Sequence, residues 1–365
     1  MRSSSLRLIK HLPKMLEAAI NDVQFPGNHR PKLLVTCSDV PVSYIEALRR
    51  KCEVTVCPGT SRDEILKATP GAEGILWLTA DRLNGEVLDL AGPQLKAVST
   101  LTSGMDYVSA EAFRQRKIPL GHTPKVVNDP VADIAIGLMI AAARRFHEGR
   151  LKILDSDWDA TPQWMLGQDV VGSTVGIVGF GGIGQTIAKR LRGFDIGRLL
   201  YTGRNKKPEA DQFAAEYVGF GELLRESDFV FIVCPLTSET SKLFDAEAFK
   251  MMKSTSVLIN VARGGIVDQH ALVEALKSGT IFAAGLDVMT PEPMPPSDPI
   301  MSLPNCTIFS HRTPSRNCNQ EKLRGNVLYC RSECTIRFSW WKTDGTLRIM
   351  ISFELKPHKS AAHYR

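Results

Sequence analysis

Residues 174–191 read TVGIVGFGGIGQTIAKRL. A short β-branched run, TVGIV, leads into Gly179-x-Gly181-x-x-Gly184, and the residues after it carry a helical apolar period. Glycines placed this way allow a tight turn, a close backbone approach to a pyrophosphate, and close packing of helix on strand. The helix N-terminus adds free N–H groups and the positive end of its dipole. The stretch predicts a strand–turn–helix unit that binds a dinucleotide, with Gly179, Gly181, Gly182, Ile183 and Gly184 as contact residues.

The pattern extends in both directions. Downstream, the strand-type runs RLLYT (198–202), FVFIV (229–233), SVLIN (256–260) and FAAGLDV (282–288) alternate with helices expected at 183–192, 221–227, 245–252 and 269–277. Upstream, KLLVT (32–36), Val54–Val56, GILWL (74–78) and LKAVS (95–99) alternate with helices around 42–51 and 62–69. Strands alternating with helices imply βαβ units and parallel sheets. Between the two series, 128–170 differs: a helix expected at 132–146, then Trp158 and Trp164 in irregular chain. TPEPMPPSDP (290–299) reads as a loop, since proline cannot donate to a ladder. The fold class is α/β with two doubly wound parallel-sheet domains, at 31–126 and 127–311, flanked by an N-terminal extension (1–30) and a basic tail (312–365).

The net charge of +6 is unevenly spread. Residues 312–365 hold eleven Lys/Arg against four Asp/Glu, and residues 1–31 hold five against two, so the chain between them is mildly acidic. That centre has no nucleic-acid footprint, and the tail, with no reading module, is expected to be solvated and poorly folded. No apolar run reaches the roughly 18 residues of a membrane span; IAIGLMIAAA (134–143) reads as a buried helix. The eight cysteines show no CxxC pair and read as reduced thiols, with no metal site. The start, MRSSSLRLIKHLPKML, is basic with no acid. It reads as a short extension of a cytoplasmic protein or, alternatively, as a presequence for the mitochondrial matrix.

After RLLYT, an NAD-binding protein would place an acidic residue on the ribose 2′-hydroxyl. Here stand Gly203 and Arg204, with Lys206 and Lys207 beyond. A guanidinium pairs with a 2′-phosphate that a carboxylate would repel, so NADPH is expected over NADH. Arg263, Asp287, Glu292 and His311 follow successive apolar runs, at the strand ends where ligands bind in open α/β sheets. Together they fit hydride transfer to a 2-oxo acid. Such a substrate needs a cation at its carboxylate and carbonyl, and an acid to protonate the forming alkoxide.

The ordered set IVGFGGIGQTIAKRL, CPLTSETSKLF, MKSTSVLINVARGGIVDQHALVEALKSG, AAGLDVMTPEP and SH, within about residues 32–311, resembles the D-isomer-specific 2-hydroxyacid dehydrogenases. LYTGR (200–204) and AAGLDVMTPEP look most like their glyoxylate/hydroxypyruvate reductase members. The resemblance implies a flavodoxin-like substrate domain, an inserted Rossmann domain, and a homodimer formed through the segment near 130–170. It implies NADPH-dependent reduction of glyoxylate to glycolate and of hydroxypyruvate to D-glycerate. His311 would donate the proton with Glu292 as its partner, and Arg263 would bind the substrate carboxylate and polarise the 2-oxo group. The backbone of Ser103 and Gly104, in TLTSGMDYV (100–108), would cradle the carboxylate. Cys234, Pro235 and Val261 would line the cofactor, and Asp287 would face the nicotinamide carboxamide.

Two features depart from the family. Ser103 stands where an aliphatic is usual, and His311 is followed by Arg312-Thr313-Pro314 instead of Ile-Gly and small residues. The second departure reads as a frameshift or alternative exon, which would leave His311 poorly supported; the rival reading is a functional basic tail. The alternatives on the same resemblance are another 2-hydroxyacid dehydrogenase, such as one acting on 3-phosphoglycerate, or a dinucleotide-sensing, corepressor-like binding protein.

Overall fold

The upstream apolar runs form parallel strands β1 (Lys32–Val35), β2 (Glu53–Val56), β3 (Gly74–Trp77) and β4 (Ala97–Thr100), and Leu120–Gly121 adds β5. Their order is β2-β1-β3-β4-β5, the flavodoxin-like arrangement with its switch point between β1 and β3. Leu34, Ile75, Trp77 and Val98 of the sheet are buried with Ile65, Val87, Leu88 and Phe113 of the flanking helices. The helix Arg62–Ala68 opens on a capping box between Ser61 and Glu64. Helices Gly85–Ala91 and Ala110–Arg116 were not expected. Each spans seven residues, too few to display an apolar period, and neither has a side-chain N-cap bond.

Downstream, β6 (Thr174–Val178), β7 (Arg198–Thr202), β8 (Ala215–Tyr217), β9 (Phe229–Ile232), β10 (Val257–Asn260), β11 (Ala283–Leu286) and β12 (Cys306–Ile308) form one parallel sheet. Its order, β12-β11-β10-β9-β6-β7-β8, is that of a Rossmann sheet extended by one strand. Alternate residues serve opposite faces. Phe229, Phe231, Val257 and Ile259 belong to one core, and Val230, Ile232 and Leu258 to the other. Burial on both sides explains why these strands read as unbroken apolar runs.

The computed structural model describes Phe25 and residues 29–40, 42–79, 81–100, 102, 104–122, 127–159 and 161–309, with the backbone of 334–343 and 346–355. The chain divides into two compact units, residues 1–127 with 315–365, and residues 128–314. In the tail, β13 (Cys334–Thr343) and β14 (Thr346–Leu355) pair antiparallel. Among the described residues, no helix is long and apolar enough to cross a membrane.

The helix expected at 132–146 runs instead from Asn128 to Ala143, and a second follows at Phe146–Leu154. Pro130 falls in the first turn, where its missing N–H is not needed. The break lies at Arg145, whose φ is +55°. Gln168 N–H bonds Ala143 O (2.9 Å), and Arg145 grips Glu148 through two bonds of 2.6 and 2.9 Å. Helix Phe146–Leu154 has no buried residue. Phe146, Ile153, Leu154, Trp158 and Leu166 are all more than half exposed, and all but Leu166 line a cavity of about 500 Å³. Trp158 and Trp164 stack there, with centroids 6.4 Å apart.

In the first unit, Glu73 accepts bonds from Lys96 Nζ (2.8 Å) and Lys32 N (3.2 Å) and is paired with His29 Nε2 (3.0 Å), tying the chain before β1 to the start of β4. Burial pushes the Glu73 carboxyl up, but these partners outweigh it and hold the pKa down to about 2. Because the pKa is lower folded than unfolded, the stabilisation is complete above the usual glutamate range and is lost as pH falls toward 2. Lys96 and His29 are half exposed, so solvent screens the network. Glu73→Gln is expected to cost about 1 kcal/mol at pH 7. In urea unfolding, its gap to wild type should narrow as pH drops below about 4.5; a gap constant down to pH 3 would refute the assignment.

Candidate active site

The glycine turn is fixed by a close backbone contact. Gly179 has φ +100°, and a Cβ there would lie 2.7 Å from Cys234 N and 2.8 Å from Cys234 Cα. No L-residue with a side chain fits that conformation and that space. Gly179 N–H bonds Thr202 O (2.9 Å), and Val233 N–H bonds Val178 O (2.9 Å), so the chain leaving β6 is tied to β7 on one side and β9 on the other. Gly181 caps the helix Gly182–Leu191, and a Cβ built on it meets only open space. The first-turn N–H groups have no intrahelical partner. This open cradle of backbone donors at a positive dipole end fits the diphosphate of a dinucleotide.

The two walls beside the cradle hold further expected residues. Gly203 and Arg204 follow β7, both exposed, and Tyr217 Oη donates to Gly203 O (2.9 Å). Cys234 and Pro235 follow β9, where Thr240 Oγ1 bonds Pro235 O (2.7 Å) and accepts from Thr237 N (2.8 Å). Burial pushes the Cys234 thiol up to about 11, which rules it out as a thiolate nucleophile at neutral pH.

Val261 and Arg263 follow β10, and Asp287 and Glu292 follow β11. Asn260, buried at the end of β10, organises them. Its Nδ2 donates to Arg263 O (3.0 Å), its Oδ1 accepts from Ala262 N (3.0 Å), and its backbone O accepts from Asp287 N (3.0 Å). Arg263 Nη1 bonds Ala262 O (2.7 Å). Glu292 Oε1 accepts from Met289 N (3.1 Å), and Gln269 holds the same loop, accepting from Thr290 N (3.1 Å) and donating to Asp298 Oδ2 (3.1 Å).

Gly264 makes this arrangement possible: a Cβ there would lie 2.0 Å from Met289 O. The Arg263 turn and the Met289–Glu292 turn therefore touch backbone to backbone. Asn260, Gly264 and Gln269 did not emerge from the sequence, nor did Asn128, whose Nδ2 lies 2.4 Å from where a Gly182 Cβ would be. Their contacts join distant loops, and the glycine pair in ARGG was the only local signal.

The glycine cradle, Gly203, Arg204, Cys234, Pro235, Val261, Arg263, Asp287 and Glu292 thus share the C-terminal edge of one sheet. Gly104 belongs to the other unit, where its O accepts from Thr102 Oγ1 (2.9 Å), and that hydroxyl also bonds Tyr107 Oη (2.6 Å). Ser103 and His311 lie outside the described residues. Gly264→Ala is expected to displace Arg263 by about 1 Å and cost on the order of 10²-fold in kcat/KM while circular dichroism stays unchanged. Wild-type kinetics in that variant would show that Arg263 does not depend on the contact.

The family model for the D-isomer specific 2-hydroxyacid dehydrogenase NAD binding domain matches residues 136–313. The chain is 43% identical over 252 residues to a mouse (Mus musculus) glyoxylate reductase/hydroxypyruvate reductase, covering 68% of this chain and 77% of that protein. It is 40% identical over 291 residues to a glyoxylate reductase of Thermococcus kodakarensis, covering 77% and 86%. A solved structure of an NADPH-dependent glyoxylate/hydroxypyruvate reductase from Sinorhizobium meliloti, in complex with NADP and malonate, superposes with a TM-score of 0.68 at 30% identity, covering 78% of this chain and 86% of that one. With the Rossmann strand order, the glycine cradle and the shared edge, these similarities show that the chain belongs to the D-isomer-specific 2-hydroxyacid dehydrogenases, NAD(P)-dependent oxidoreductases that act on 2-hydroxy acids.

Proposed function

We propose that the chain is an NADPH-dependent reductase of small 2-oxo acids, converting glyoxylate to glycolate and hydroxypyruvate to D-glycerate. The observation that carries this reading is Arg263 held on a backbone-locked turn against the Met289–Glu292 turn, beside a dinucleotide cradle. The reduced nicotinamide, when bound, supplies the hydride equivalent. Arg263 holds the substrate carboxylate and draws electron density onto the 2-oxo oxygen, where negative charge grows during reduction. Backbone N–H groups of Ser103 and Gly104 share the carboxylate. His311 delivers the proton to that oxygen, and Glu292 keeps its imidazole protonated and oriented. Asp287 orients the carboxamide, and Cys234, Pro235 and Val261 contribute cofactor surface.

Arg204 supports NADPH. It is an exposed cation on the turn after β7, where an NAD-specific site would carry a carboxylate. The Sinorhizobium relative, named as NADPH-dependent and solved with NADP, points the same way. The reduced thiols Cys37, Cys52, Cys57, Cys234 and Cys306 suit the reducing cytoplasm.

The unit of function is a homodimer. A nine-residue helix with no buried residue, Phe146–Leu154, has little of the tertiary packing that such short helices require. Its exposed Phe146, Ile153, Leu154 and Trp158 supply the apolar surface that a second copy would cover. Sedimentation of the wild-type chain should give a dimer, and Leu154→Asp with Trp158→Asp a monomer; a monomeric wild type would overturn this point.

The central experiment follows NADPH oxidation by the full chain with hydroxypyruvate and with glyoxylate. NADPH should be preferred over NADH, Arg204→Ala should raise the KM for NADPH about tenfold, and His311→Ala should lower kcat by roughly 10²–10⁴. Turnover would also show that the Arg312-Thr313-Pro314 departure leaves His311 serviceable. Tight NADPH binding with no turnover on either acid would sink the reductase reading.

A further inference from the structure

The loop after β9 carries a charge that no cofactor role accounts for. Within Thr237-Ser238-Glu239, the Glu239 carboxylate accepts from Thr237 Oγ1 (2.6 Å) and Ser238 Oγ (3.0 Å). The loop is itself pinned by Thr240, which bonds both Pro235 O and Thr237 N. Glu239 is therefore an exposed but anchored anion. Its position follows from topology: β7 and β9 flank β6, so the turns after them rise on either side of the glycine cradle. The backbone contact between Gly179 and Cys234 seats the start of the Glu239 loop against that cradle. Arg204 stands on the opposite wall.

We infer that Glu239 is a specificity-determining residue, an anion set opposite Arg204 that weakens the hold on a 2′-phosphate and keeps NADH usable. The inference rests on the NADPH reading. The adenosine ribose must lie between these two walls, because the diphosphate is held at the cradle between them. A 2′-phosphate brought to Arg204 then comes within reach of the Glu239 charge as well. Arg204 attracts it and Glu239 repels it, whereas the 2′-hydroxyl of NADH meets no such repulsion. The Thr237 hydroxyl first, then the residue's own backbone N–H, the Ser238 hydroxyl and the nearby charge of Arg204 lower the pKa of the Glu239 carboxyl, so it is ionised at neutral pH. The Arg204 contribution is consistent with the two walls facing one another across the cradle.

The test compares wild type, Glu239→Gln and Arg204→Ala by calorimetric titration with 2′,5′-ADP and with 5′-AMP, and by KM for NADPH and NADH. Glu239→Gln should tighten 2′,5′-ADP and lower the NADPH KM about three- to tenfold, the scale of one charge acting at short range through solvent. The gain should shrink in high salt. Affinity for 5′-AMP should not improve, and the NADPH/NADH preference should rise. An unchanged preference in Glu239→Gln, while Arg204→Ala still abolishes the wild-type discrimination, overturns the role of Glu239 and leaves the NADPH reading standing. A wild type that does not distinguish 2′,5′-ADP from 5′-AMP overturns both.

Discussion

The second unit depends on one close approach, the backbone of Gly179 lying against the backbone of Cys234. It fixes three things together. The turn out of β6 takes a left-handed conformation that opens the helix N-terminus toward solvent. The loop after β9 becomes one wall of the cradle, and the turn after β7, bonded through Thr202 O to Gly179 N, becomes the other. The loops that carry Arg204 and Glu239 are therefore set by backbone geometry, with the Glu239 carboxylate held in addition by the Thr237 and Ser238 hydroxyls.

A second approach of the same kind governs the end of the site where the reaction is proposed. The turns that carry Arg263 and Glu292 meet at Gly264, and Asn260 binds the first of them at two points while receiving Asp287 N–H on its own carbonyl. Asn260 is buried, so these bonds are shielded from water, and losing one would leave a buried polar group unsatisfied. The ends of the neighbouring strands β10 and β11 are thus held as one piece.

Much of this was legible in the sequence because parallel strands covered on both faces must be apolar at every position. FVFI, VLIN and AAGL could hardly be anything else once glycine loops and helices separated them. The helix over 269–277 was readable because Asp268 caps it and Leu272, Val273, Ala275 and Leu276 supply its period. What escaped was short or long-range. The strand Leu120–Gly121 is two residues, and Ala215–Tyr217 is an edge strand with a polar centre, so neither shows a pattern. The break at Arg145 depends on carbonyls and carboxylates met only in the folded chain. Asn128 and Gly264 matter through partners that no local window contains, as does the Asn260 carbonyl through Asp287 N–H.

The two arginines on this edge differ in freedom, and the difference follows the chemistry proposed for each. Arg263 sits between a buried asparagine and a backbone contact with no room for a methyl group, and its guanidinium also grips Ala262 O. Polarising a carbonyl requires a cation placed to within a fraction of an ångström of where charge develops, since misplacement weakens the transition state directly. Arg204 stands exposed on an open turn. Gripping a phosphate remote from the reacting atoms tolerates several geometries, and there a mobile guanidinium costs affinity but not rate. On the proposed roles, rigidity is concentrated where bonds change and relaxed where only binding is needed, and cofactor preference can shift through Arg204 and Glu239 without disturbing the lock around Arg263.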